Sequence, residues 1–75
     1  MILHLYLIVM IWGHITDSWG PLDGNWIECE HKAKLCNEQL DIRFNFPDSM
    51  VKEIEAEGIH RKDIDFQCIL SSEKP

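Results

Sequence analysis

The sequence predicts an α+β domain, a small antiparallel sheet packed by helices. Three observations carry that expectation. The opening run, Met1 to Trp12, is almost wholly apolar and rich in β-branched and aromatic side chains, which suits a strand buried on both faces. Residues 25–40 join a helix-capping signal to a helix-forming composition. Residues 64–70 alternate apolar and polar side chains, the pattern of a half-buried strand.

The first strand is placed at about residues 2–12. Leu3, Leu5, Leu7, Val9 and Ile11 point one way; His4, Tyr6, Ile8, Met10 and Trp12 point the other, on a face expected to be partly wet. A secretory signal would show basic residues ahead of the run and a small-residue cleavage site. Neither Lys nor Arg precedes this run, and Gly13-His14-Ile15-Thr16 offers no such site. It is also too short to span a membrane, which takes about 20 apolar residues. Residues 13–24 are rich in Gly, Asp, Ser and Pro and read as a connection, with Trp19 folding back onto the core.

Two periodicities compete over 25–40. Alternation would align Ile27, Cys29, His31, Ala33 and Leu35 on one side of a strand. Helical spacing aligns Trp26, Cys29, Ala33, Cys36 and Leu40 in one stripe. Asn25 with Glu28 forms a capping box, and Glu28/Lys32 and Glu30/Lys34 are favourable i,i+4 pairs, so the helix is preferred. Residues 40–46 fit either a short strand or the end of that helix, and the sequence leaves both open. Pro47 interrupts. A second, acidic helix follows at about 49–57, with Met50, Val51 and Ile54 inward and Gly58 as its left-handed terminator. The last strand, about 64–70, turns Ile64, Phe66, Cys68 and Leu70 inward and pairs antiparallel with the first. Residues 71–75 read as a loose tail.

Seventy-five residues make one domain, residues 1–75. A chain of this size buries little more than ~60% of its unfolded surface, so its stability is marginal without a staple or a partner. Three cysteines are an odd count, unlike a secreted disulfide scaffold, and the simpler expectation is reduced thiols in a cytoplasmic protein. Cys29 and Cys36 lie about 10.5 Å apart along a helix, beyond mutual disulfide reach; either could pair with Cys68. Cys29, His31, Cys36, His60 and Cys68 contain no Cys-x-x-Cys or His-x-x-x-His spacing. No metal, no cofactor and no catalytic residue is expected, and the chain is read as a non-enzyme.

The formal net charge of −6 disfavours direct contact with nucleic acid or an anionic membrane and favours a basic partner. Half of that charge lies in the second helix, on Asp48, Glu53, Glu55 and Glu57, offset by Lys52. These four carboxylates, with Trp19 as an aromatic anchor, are the candidate partner-binding residues.

An apolar strand from Met1, the Trp19-Gly20-Pro21 turn, a Cys-bearing helix and a closing Arg61-x-Asp63-Ile64-x-Phe66-x-Cys68 strand together resemble small orphan proteins encoded by phages and prophages. The resemblance spans most of the chain on structural motifs. It implies an inhibitor of host defence of the anti-CRISPR kind: a small acidic protein in the host cytoplasm that occupies the basic surface of a nucleic-acid-binding protein or ribonucleoprotein complex. The competing expectations are a secreted or envelope protein, with residues 1 to about 16 a signal and its cysteines oxidised, and a homodimeric module pairing the edges of its sheet.

Overall fold

The computed structural model describes residues 2–75. Met1, the head of the apolar strand in the resemblance, lies outside the described residues. The elements follow as β1 (His4–Ile11), β2 (His14–Trp19), α1 (Trp26–Glu38), α2 (Ile42–Asn45), α3 (Asp48–Ala56), a 3₁₀ turn (Arg61–Asp63) and β3 (Ile64–Ser71). The fold is α+β, with a three-stranded sheet in the order β2-β1-β3 and both pairings antiparallel.

β1 is central because its apolar side chains fill both faces. It pairs with β3 from His4 opposite Ser71 to Ile11 opposite Ile64, the first-to-last pairing that the sequence implies. Directly opposed residues share a face, which sets Val9 beside Phe66 and Ile11 beside Ile64. The helices cover that face. Ala33 of α1, Phe46, and Val51 and Ile54 of α3 join the same buried cluster. On the opposite face Tyr6 and Ile8 are buried as well, Met10 is half-buried and His4 is exposed, so that face is wet only toward the strand ends.

Residues 13–24 are not simply a connection. Trp12 and Gly13 form a two-residue turn with φ of 52° and 80°, as a type I′ hairpin requires, and β2 returns along β1 from Ile11↔His14 to Leu7↔Trp19. The register slips between Val9 and Met10, opposite Thr16, whose hydroxyl donates to the Val9 carbonyl over 3.2 Å. Asp17 and Ser18 look like turn formers in sequence. Here the Asp17 carboxylate accepts the Ser18 N–H over 2.8 Å within an edge strand. Trp12, assigned by alternation to a strand face, instead sits in the turn.

α1 starts at its expected cap: Asn25 Oδ1 accepts the Glu28 N–H over 2.9 Å, an interaction worth about 1 kcal/mol. Its stripe is inward at Cys29 and Ala33 and half-buried at Cys36, but Trp26 is exposed. The expected Glu28/Lys32 and Glu30/Lys34 pairs do not form. Glu30 accepts the Trp26 indole N–H instead, and Lys34 pairs with Glu38 at 3.9 Å. Residues 40–46 resolve into the single turn α2, capped by Asp41, whose carboxylate accepts the Arg43 N–H. Phe46 is buried and Phe44 is exposed. α3 ends ahead of Gly58, which has the anticipated positive φ of 70°.

The thiols differ from the reduced state expected of them. Cys29 in α1 and Cys68 in β3 form a disulfide with Cα atoms 6.1 Å apart, and Cys36 is free and half-buried. α1 runs along β3, with Cys29 of its first turn at Cys68 and Asn37 of its last turn at Phe66, and this placement pairs Cys29 rather than Cys36 with the strand. In the 71–75 segment, Ser71 Oγ donates to the Glu73 carbonyl, and the Pro75 carbonyl accepts from Ser18 Oγ over 3.0 Å, beside Ile8 on the face away from the helices. No helix among the described residues is long and apolar enough to cross a membrane.

Candidate functional site

α3 distributes its carboxylates by helical geometry. Val51 and Ile54 face the core and are buried. At 3.6 residues per turn, Glu53 and Glu57 then fall on one flank, and Asp48 and Glu55 fall on the other. Asp48 occupies the first turn, where it complements the helix dipole. Glu55 meets the Arg43 guanidinium at 3.6 Å. Neither Glu53 nor Glu57 forms an ion pair among the described residues. The four sequence-selected acids are therefore not one patch: two have a local role, and two remain unneutralised on a shared flank.

That flank faces the β1–β2 turn across a cleft of about 390 Å³. Ile11, Met50, Ile54 and Ile59 contribute its apolar surface, while Trp12, His14, Glu53 and Glu57 bring the aromatic and polar groups. Trp12 is 56% exposed, and its backbone N–H donates to the Asp63 carbonyl over 3.3 Å, tying the turn to the 3₁₀ segment. A left-handed backbone at a residue with a Cβ costs roughly 1–2 kcal/mol. Asn or Gly would meet that demand more easily than a bulky indole. The turn thus holds an exposed aromatic in a strained conformation beside two unpaired carboxylates.

The fifth selected residue, Trp19, lies elsewhere. It ends β2, half-buried, with its ring stacked on Phe66 at a centroid distance of 6.1 Å and an interplanar angle of 22°. Its apolar area is shared with the core, and it does not line the cleft with Glu53 and Glu57.

A larger hollow, about 730 Å³, runs between α1 and β3. Its charged and amide side chains already have partners within the chain, Lys34 with Glu38, Glu30 with Trp26, Gln67 with Asp65 and Asn37 with the Phe66 backbone, and only the His31 imidazole stands without one among the described residues. The smaller cleft retains the unmet electrostatic demand, and for that reason it is the candidate site. Thr16, which also lines it, directs its hydroxyl to the Val9 carbonyl, and no cysteine does so. No group of three or more His, Cys, Asp or Glu among the described residues is arranged to hold a metal ion.

Sequence reasoning selected Glu53 and Glu57 but missed Trp12 and His14 as their neighbours. The available signal was the Trp12-Gly13 pair between an apolar run and the β-branched Ile15-Thr16, which is compatible with a tight hairpin turn. No family model matches the chain, and no curated relative and no solved structure matches it either.

Proposed function

We propose that this chain is a non-enzymatic binding protein that receives a basic protein surface in the cleft between the β1–β2 turn and α3. The observation that carries this reading is the pair Glu53 and Glu57, without cationic partners among the described residues, beside an apolar cleft and an exposed indole. Opposite charge across an interface steers encounter and fixes orientation, and a buried aromatic anchor contributes much of the affinity. In the form implied by the resemblance to phage-encoded inhibitors, the partner is a nucleic-acid-binding host protein or ribonucleoprotein. The carboxylates then compete with phosphate for its Lys and Arg.

The test is affinity capture from host lysate at low and high salt, using the native chain and the double variant Glu53→Lys/Glu57→Lys. A basic, nucleic-acid-associated protein retained at low salt, released by high salt and lost with the variant supports the reading. Retention unaffected by charge reversal removes this surface from consideration.

The disulfide favours a second reading for the compartment. Disulfides persist where the environment is oxidising and are rare in the cytosol, so the Cys29–Cys68 bond weakens the ground for a host-cytoplasmic location and supports an exported protein. That exported form would keep β1 in the folded domain, because removing residues 1–16 deletes the central strand. Counting free thiols in protein recovered from the native host separates the two: one thiol in the exported form, three in the cytoplasmic form.

A further inference from the structure

We propose that the cleft holds a single arginine side chain of the partner, its guanidinium stacked on the Trp12 indole and hydrogen-bonded to Glu53 and Glu57. This rests on the basic-partner reading and narrows it to one side-chain chemistry. Three features of the cleft each match one part of that side chain. Glu53 on α3 and Glu57, its C-cap residue with a helical backbone, are four residues apart, which sets neighbouring side chains about 5–6 Å apart at Cβ. A planar fork of five donors can address two carboxylates at that spacing, whereas an ammonium is a point charge. Trp12 is 56% exposed in the cleft wall, and Trp is the best aromatic platform for a cation. Met50, Ile54 and Ile59 supply apolar surface for the aliphatic stem, which long cationic side chains bury while their heads stay polar.

The charge balance selects a cation. The charged or titratable groups lining the cleft are Glu53, Glu57 and His14, with no Lys or Arg among them, and the whole chain carries −6. Arginine is preferred to lysine because the guanidinium is more weakly hydrated and stacks on aromatic faces. A divalent metal ion fits less well. Hard cations require six or more oxygen ligands, and two carboxylates over an apolar floor do not supply them.

The experiment is a titration of the full chain, followed by NMR at the Trp12 indole N–H, with three capped tripeptides of the form Gly-X-Gly, where X is arginine, lysine or norleucine. The arginine peptide is expected to shift the Trp12 signal with an affinity on the order of millimolar. The lysine peptide should bind several-fold more weakly, and the norleucine peptide should leave the signal in place. Trp12→Asn provides the decisive control. Asparagine tolerates the left-handed backbone of the turn, so this variant is expected to unfold at a higher temperature than the native chain while losing at least tenfold in arginine affinity, followed at the α3 backbone amides. Equal binding of arginine and lysine, an arginine peptide that leaves Trp12 unmoved, or affinity retained in Trp12→Asn would each overturn the proposal. Failure here alongside partner capture that still depends on Glu53 and Glu57 sinks the arginine assignment alone. Capture indifferent to charge reversal sinks the basic-partner reading beneath it.

Discussion

The Asn37 carboxamide satisfies both backbone polar groups of Phe66. Its Oδ1 accepts the Phe66 N–H over 2.8 Å, and its Nδ2 donates to the Phe66 carbonyl over 3.0 Å. A side chain of α1 thereby takes the place that a fourth strand would occupy beside β3. Exposed strand edges invite pairing with other chains, and this contact blocks the edge at its middle. Asn37→Ala is expected to lower unfolding free energy by about 1–3 kcal/mol, the cost of leaving part-buried polar groups unpaired. It should also promote concentration-dependent association. Urea denaturation and sizing at two concentrations read the two effects separately.

The Cys29–Cys68 bond closes a long loop, with 39 positions separating its ends. Restricting the unfolded chain in this way is worth about 3–4 kcal/mol in the chain-entropy picture. That is a large share of the stability of a domain this small. Replacing both residues with Ala should therefore remove most of the folding cooperativity seen in a thermal melt, whereas Cys36→Ala should leave the midpoint nearly where it is.

Gly20 and Gly13 separate crowding from conformation. A Cβ on Gly20 would stand 2.7 Å from Tyr6 Cδ1 and 2.9 Å from the Leu5 carbonyl oxygen, at a φ of 147°. Gly13, at φ 80°, has nothing within 4 Å of the same position. Gly20→Ala is expected to cost more than Gly13→Ala, roughly 1–3 kcal/mol for the overpacking alone. Chemical denaturation of the pair decides it, and a larger loss from Gly13→Ala would contradict the packing described for Tyr6.

Burial pushes the Cys36 thiol above its ordinary value. The folded state then holds this proton at a pH where the unfolded chain has released it. Its contribution to stability is complete below the unfolded thiol's pKa and is lost as pH rises through the folded one. Stability of the native chain should fall more steeply in the alkaline range than that of Cys36→Ala. Alkylation of Cys36 near neutral pH should also be slower than that of a free cysteine.

Because Glu55 already faces Arg43, while Glu53 and Glu57 form no ion pair among the described residues, the acids in and just after α3 should differ in function. Glu55→Gln is expected to leave partner capture unchanged. Both members of the Arg43–Glu55 pair are well exposed, so stability should barely move. Glu53→Gln and Glu57→Gln should each weaken capture and reduce its salt dependence. Equal losses from all three substitutions would point to a diffuse field rather than a cleft.

The legible parts of the fold were those written in local periodicity. β1 and β3 declare themselves by apolar content and alternation, and α1 by its Asn25 cap and inward Cys29 and Ala33. β2 was hidden because an edge strand does not require an apolar face. Ile15 is 48% exposed, and Asp17, Ser18 and Gly20 carry the composition of a turn. The disulfide partner could not be selected from spacing, since Cys29 and Cys36 share one stripe and only the placement of α1 along β3 distinguishes them. The cleft was half legible: the charge run identified Glu53 and Glu57, but their meeting with Trp12 depends on how the turn and α3 pack.

Chain order gives β1 an unequal pair of companions during synthesis. Its β2 partner emerges after only a two-residue turn, while β3 is translated only after all three helices. Until then the greasiest segment of the protein has one flank zipped and the other bare. A nascent chain that has not yet made β3 thus carries β1 with one backbone edge unpaired, and unpaired strand edges are what make partly folded chains prone to aggregate.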